Sequence, residues 1–218
     1  MQIRIPKRNK HPVVGDNLTR FYHYPVLNYF FLRRLTMTLG FMPDGKFDSV
    51  LEIGFGSGVF LPELSRRSKR LFGLDVHEHI LKVKDMLACE NIKAELIKGS
   101  IVHLPYKDAS FDCVISIATL EHINELSLAI SEIIRVLKKG GLMILGFPVE
   151  NKLSDLLLVL TGSVRAYKKK LKEIHPNSHN KIISEIKRQC GNDMKIRLFP
   201  NFLPLDLALY CSCMSRKV

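Results

Sequence analysis

No run of apolar residues in this 218-residue chain reaches the roughly 18 needed to cross a bilayer as a helix. The most apolar stretch, Leu153 to Leu160, is broken by Ser154 and Asp155 and reads as a helix within a fold. The first residues, Met-Gln-Ile-Arg-Ile-Pro-Lys-Arg, lack the apolar segment of a secretory leader. The expectation is therefore a cytoplasmic protein with no transmembrane segment. Internal repeats and low-complexity tracts are absent too. Cysteine is sparse: Cys89, Cys113, Cys190, Cys211 and Cys213 make an odd set with no pair-of-pairs spacing. A zinc site or a disulfide framework needs more partners than that. Buried free thiols are expected, with no metal centre. What is present is ordinary for one globular domain, 46% hydrophobic and 25% charged, with a core large enough to need no staples.

Charge is the first uneven feature. The formal net charge is +12, yet residues 11–164 carry 17 charges of each sign. The excess sits in residues 1–10, with four cations and no anion, and in 165–197, with ten cations and three anions. Such a patch suits nucleic acid, anionic lipid or a phosphorylated substrate. It equally suits a solvated helix face carrying Lys168, Lys169, Lys170 and Lys172.

The hydrophobic pattern alternates between strand and helix. Residues 18–42 are rich in aromatics and read as one or two leading helices, with Pro25 suited to a first turn. Strands are expected at Ser49–Ile53, Arg70–Leu74, Ala94–Lys98, Phe111–Ile117 and Leu142–Phe147. Helices are expected at Val59–Arg67, Glu78–Glu90 and Leu126–Leu137, the last ended by Gly140-Gly141 as a left-handed cap. Two final strands, 194–199 and 207–214, are joined through Pro200 and Pro204. Alternation of this kind predicts an α/β, Rossmann-like doubly wound sheet with helices on both faces. Ligands then bind at the strand C-terminal ends, at the switch point beside the first strand. The chain divides into a helical cap (1–45), a core (46–148), a helical insertion (149–192) and terminal strands (193–218), all in one domain.

Four places on that edge carry chemistry. Val50-Leu-Glu-Ile-Gly-Phe-Gly-Ser-Gly58 is a strand running into a glycine loop. Glycines at 54, 56 and 58 let the backbone turn sharply and a ligand approach with no Cβ in the way. A nicotinamide loop would place a third glycine where Val59 stands. Glu52 would repel a pyrophosphate but suits the ammonium or sulfonium of an amino-acid-like ligand. By itself the loop also fits an ordinary βα turn. Asp75 ends the second strand, 17 residues past Gly58, where an acid accepts both ribose hydroxyls or caps a helix. Gly99-Ser100-Ile101 follows the third strand, where an adenine could be bracketed. Thr119-Leu-Glu-His122-Ile follows the fourth, with His122 a base, a substrate contact or a helix-start residue.

These stretches, with Gly73-Leu-Asp-Val, Gly99-Ser-Ile-Val-His-Leu-Pro-Tyr, Ser110-Phe-Asp-Cys-Val and Glu132-Ile-Ile-Arg-Val-Leu-Lys-Lys-Gly-Gly, resemble the class I S-adenosylmethionine (SAM)-dependent methyltransferases, in particular the group acting on small molecules and lipids. The resemblance runs from about Lys46 to Pro148. It implies a seven-stranded sheet with the last strand antiparallel. It implies SAM as cofactor, held by Glu52, Gly54, Phe55, Gly56, Gly58, Asp75, Val76, Ser100, Ile101 and Ile117. Many members have aspartate where this chain has Ser100, so the adenine amino group meets a hydroxyl without charge. His122 is the catalytic candidate, then Glu121, His175 and His179. The acceptor is expected to be a small molecule or lipid-like. RNA or protein acceptors, and a non-catalytic SAM-fold subunit, are the alternatives.

Overall fold

The structure, a computed structural model, describes residues 25–151 and 175–218. The cationic residues 1–10, the Leu153–Leu160 stretch and Lys168–Lys172 lie outside the described residues.

The last five residues of strand β1 (Phe47–Ile53) are all buried because it lies at the middle of a sheet covered on both faces. Val50 and Leu51 are wholly buried although they point to opposite sides. Parallel to β1 run β2 (Ser68–Asp75) and β4 (Phe111–Ile117). Outside them lie β3 (Glu95–Lys98), parallel to β2, and β5 (Leu137–Pro148), parallel to β4. The sheet is completed by β6 (Lys195–Phe199) and β7 (Tyr210–Arg216), giving the order β3-β2-β1-β4-β5-β7-β6. β7 is antiparallel to both β5 and β6, so it alone runs against the rest. The seven-stranded, Rossmann-like architecture is as expected.

Helices cover both faces. On one lie α1 (Pro25–Leu39), α2 (Leu61–Ser65) and α3 (Ile80–Cys89), whose Leu35, Leu39, Leu61, Leu64, Val83 and Met86 pack with Val50 and Ile115. On the other lie α4 (Leu126–Val136) and α5 (His179–Cys190), packing Ile130, Ile133, Ile182 and Ile186 over Leu51 and Val114. No helix among the described residues is long and apolar enough to cross a membrane.

Two expectations need correction. Gly140-Gly141 does not cap α4. That helix ends at Val136, and Leu137 is already extended and paired with Phe111. The ladder then shifts register, so that Cys113 pairs with Leu142. Gly140 (φ +74°) is the left-handed residue of this bulge, and a Cβ on Gly141 would lie 2.8 Å from the Lys138 carbonyl oxygen. The glycines serve a strand irregularity, not a helix end. The second correction concerns the insertion expected over 149–192. Its last part, α5, belongs to the core layer. Its mean polarity hides a one-sided face, since Ile182 and Ile186 are wholly buried under α4 while Lys187 and Arg188 face out.

Candidate cofactor and acceptor site

The glycine loop leaves β1 with Gly54 (φ +75°), Gly56 (φ +52°) and Gly58 (φ +75°) all left-handed. They are glycine for different reasons. A Cβ at Gly54 would lie 2.1 Å from the Thr119 hydroxyl, and one at Gly58 would lie 2.5 Å from Val83 Cγ1. A Cβ at Gly56 would meet nothing within 4 Å. Gly54 and Gly58 are therefore packing glycines, whereas Gly56 borders open space. Thr119 has little room to retreat, because its hydroxyl donates to the Ile117 carbonyl at 3.2 Å. Gly54→Ala is expected to cost about 2–4 kcal/mol, backbone strain and clash together. Gly56→Ala should cost only the strain, about 1 kcal/mol. Urea denaturation of the two variants checks this; equal losses would contradict it.

Asp75 ends β2 and turns back under the loop. Its Oδ2 accepts the Gly56 N–H at 2.7 Å, and its Oδ1 accepts the Val76 N–H at 2.7 Å. The helix-cap alternative is not what forms, since α3 has His79 at its N-cap position. His77, a residue that sequence reasoning missed, bonds the Gly56 carbonyl through Nε2 at 2.7 Å and packs edge-on against Phe55. One residue before the end of β1, Glu52 is 4% exposed, and its Oε2 has no hydrogen-bond partner. Burial, and then the Asp75 charge, push its carboxyl up to about 8.

The other expected cofactor residues fall unevenly around this loop. Val76 is exposed at the end of β2. Ile117, at the end of β4, is half-buried. Ser100 is half-buried, with its hydroxyl accepting the Val102 N–H at 3.4 Å. Two side chains point away from the loop surface. Phe55 is buried against Gly73, and Ile101 lies in the core beneath α4, so only their backbones face the edge. An apolar residue in a glycine loop looks like a ligand contact in sequence, but here the hydrophobic gain of burial decides its direction.

Beyond β4, Ala118 is left-handed (φ +53°) and starts a tight turn, Leu120–His122. The turn buries Glu121 and exposes His122. Against it lies the segment 175–178. Asn177 donates through Nδ2 to the Leu120 carbonyl at 2.9 Å and the Ile123 carbonyl at 2.5 Å. This brings the His175 ring to 4.6 Å from the His122 ring, while His175 Nδ1 bonds Glu150 at 2.5 Å. Burial pushes the Glu121 carboxyl up to about 7. His179, by contrast, is the first residue of α5 and buried, with the Asp206 carboxylate 3.9 Å away. Glu150 and Asn177 carry no sequence signal of their own.

An aromatic wall flanks this edge. Tyr29 and Phe30 of α1 meet Phe199 at the end of β6, at 5.9 and 5.8 Å. The Arg34 guanidinium lies 4.2 Å over the Phe31 ring and 5.6 Å from the Tyr210 ring.

Residues 51–145 match the model of the family described as methyltransferase domain. The chain is 36% identical over 120 residues to the uncharacterized methyltransferase YdaC of Bacillus subtilis, covering 53% of this chain and 60% of that protein. Over that stretch the chain is similar to SAM-dependent methyltransferases. It is also 30% identical over 130 residues to the tRNA (carboxymethyluridine(34)-5-O)-methyltransferase of Arabidopsis thaliana, covering 58% of this chain and 28% of that protein. Among solved structures, geranyl diphosphate methyltransferase in complex with SAM superimposes with a TM-score of 0.69 at 13% identity, covering 95% of this chain and 92% of that one. At that identity the likeness is one of fold. The chain spans less than two thirds of the length of the curated relatives, and their named acceptors differ.

Proposed function

We propose that this chain transfers a methyl group from SAM to a small-molecule or lipid-like acceptor. The observation that carries the reading is the pairing of an unpartnered buried carboxylate at Glu52 with open space at Gly56 and an acceptor-rich Asp75. The residues fit the cofactor. Glu52 Oε2 offers the ammonium of the methionine part the partner it lacks. Asp75, which accepts the Gly56, Val76 and His77 N–H groups, is the carboxylate we assign to the ribose hydroxyls. Val76, Ile117, Ser100 and the backbone of Ile101 bracket the adenine, and Phe55 contributes its backbone alone.

The cofactor supplies an already activated methyl group, so the protein mainly aligns nucleophile, methyl and leaving sulfur. A hydroxyl or amine acceptor also has to give up a proton. His122 is the exposed group beside the edge that we assign to that step, with His175 orienting it through ring contact. Tyr29, Phe30 and Phe199 with Arg34 favour an amphiphilic acceptor, one with an apolar body and a polar or anionic head. An RNA acceptor would use the cations of α5 and leave this aromatic wall unexplained.

The test is incubation of the purified protein with radiolabelled SAM and, separately, a total lipid extract or total RNA. Saturable binding and label in the lipid fraction are expected. Absence of SAM binding would sink the enzyme reading, and label in RNA alone would move the acceptor to nucleic acid.

A further inference from the structure

Among the described residues, one group of three His, Cys, Asp or Glu side chains brings its ligand atoms within reach of a single ion. Glu121, His122 and His175 each offer an atom within 4.8 Å of the others. We propose that these three side chains bind one divalent transition-metal ion at the acceptor end of the site.

Four features support a built site over a chance cluster. Glu121 is 3% exposed and its Oε2 has no hydrogen-bond partner, so a buried oxygen faces the group with its bonding capacity unused. His175 Nδ1 is engaged by Glu150 at 2.5 Å, which leaves Nε2 as its ligand atom. A carboxylate behind a histidine is the usual second-layer support of a ligating imidazole, since it fixes the tautomer and raises basicity. Asn177 clamps the carbonyls on either side of Glu121 and His122, so the chain segment bearing His175 is fastened to the turn bearing the other two. Finally, His122 is exposed, so positions not filled by the protein open toward solvent and the acceptor.

The donor set narrows the ion. Two imidazoles and one carboxylate suit Zn²⁺, Co²⁺, Fe²⁺ or Mn²⁺ better than Ca²⁺ or Mg²⁺, which prefer all-oxygen shells. Three protein ligands leave room for one or more exogenous oxygens, as in catalytic rather than structural sites. This second consequence rests on the proposed function. With the ion bound, an acceptor hydroxyl there would lose its proton more readily and His122 would act as a ligand, so the proton-accepting role assigned to it above is that of the metal-free protein.

The experiment uses the full chain, stripped with a chelator and desalted, then titrated with Co²⁺ while visible d–d absorption is followed. One equivalent should bind and be displaced by Zn²⁺. Glu121→Gln, His122→Ala and His175→Ala should each weaken binding at least tenfold, and Glu150→Gln roughly tenfold. Circular dichroism and SAM binding report whether each variant is folded, and His175→Gln serves as a milder replacement should His175→Ala fail to fold. No Co²⁺ spectrum in the parent protein, or unchanged affinity in folded His122→Ala and His175→Gln, overturns the proposal. A parent protein that binds Co²⁺ at this cluster but not SAM would support the metal site and sink the methyltransferase activity instead.

Discussion

Gly56→Arg is expected to abolish SAM binding and leave the fold standing. The position is left-handed, so any side chain costs about 1–2 kcal/mol of backbone strain. Among the described residues a Cβ there meets no atom within 4 Å, so the backbone strain is the main cost. The Gly56 N–H that donates to Asp75 survives the substitution. The arginine therefore projects into the space where we place the methionine part of the cofactor, bringing bulk and a positive charge against a sulfonium and an ammonium. Equilibrium dialysis should show affinity reduced more than about 100-fold, or about 2.7 kcal/mol. The melting temperature should fall by only about 2–8 °C. Affinity within threefold of the parent would contradict the placement of the cofactor.

Glu52→Gln should make the ligand-free protein more stable and worse at binding. Burial and the nearby Asp75 hold the Glu52 carboxyl near 8, far above its ordinary value of about 4.3. A carboxyl with a raised folded value resists ionisation in the native state. Its contribution to stability is intact below about pH 4 and is lost as pH climbs toward 8. The parent protein should thus weaken across that window. Glu52→Gln should flatten the loss and gain on the order of 2 kcal/mol at pH 8. Binding runs the other way. The ammonium of SAM needs the ionised carboxylate, so below pH 8 binding releases a proton and affinity rises with pH. Above about 8 the ligand's own amine loses its proton and affinity falls again. Calorimetry at pH 7 in two buffers of different ionisation enthalpy should detect that proton in the parent and not in the variant. Affinity in Glu52→Gln should drop at least tenfold. A variant that binds normally, or no proton release in the parent, would remove Glu52 from the site.

The parts of this molecule written in the sequence are those set by local pattern. The buried strands β1 and β4 announce themselves by short apolar runs at their centres, Val50-Leu51 and Cys113-Val114-Ile115, and α4 by its 3.6-residue repeat. Glu52 and Asp75 were legible together because each sits at the end of a strand, and β1 and β2 are neighbours in a parallel sheet, so their ends must meet. Legibility failed where a distant contact decides. The glycines at 140 and 141 read as a helix cap because the bulge against Asp112 is visible only across the ladder. Helix α5 read as part of a polar insertion because its few isoleucines become a core face only under α4. The burial of the Phe55 side chain was not legible because its contact with Gly73 involves another strand. His122 and His175 are 53 residues apart and share no spacing motif. Asn177 brings them together, and no pattern in the chain marks an asparagine for that task.

The two rims of the sheet bear on behaviour in crowded solution. β3 has only four residues, with Glu95 and Lys98 exposed and Lys98 paired to Glu78. β6 begins with exposed Lys195, Ile196 and Arg197, and the Arg197 guanidinium folds back to 4.5 Å over the Phe41 ring at the end of α1. An outer strand with unpaired backbone groups is a template onto which another chain can stack, and short length and charge are what block it. Both rims here carry charge, and one is also short. The buried inner strands that make this sheet a good scaffold are kept from other chains by a handful of charged rim residues, one of which, Lys98, also stands in register with Asp75.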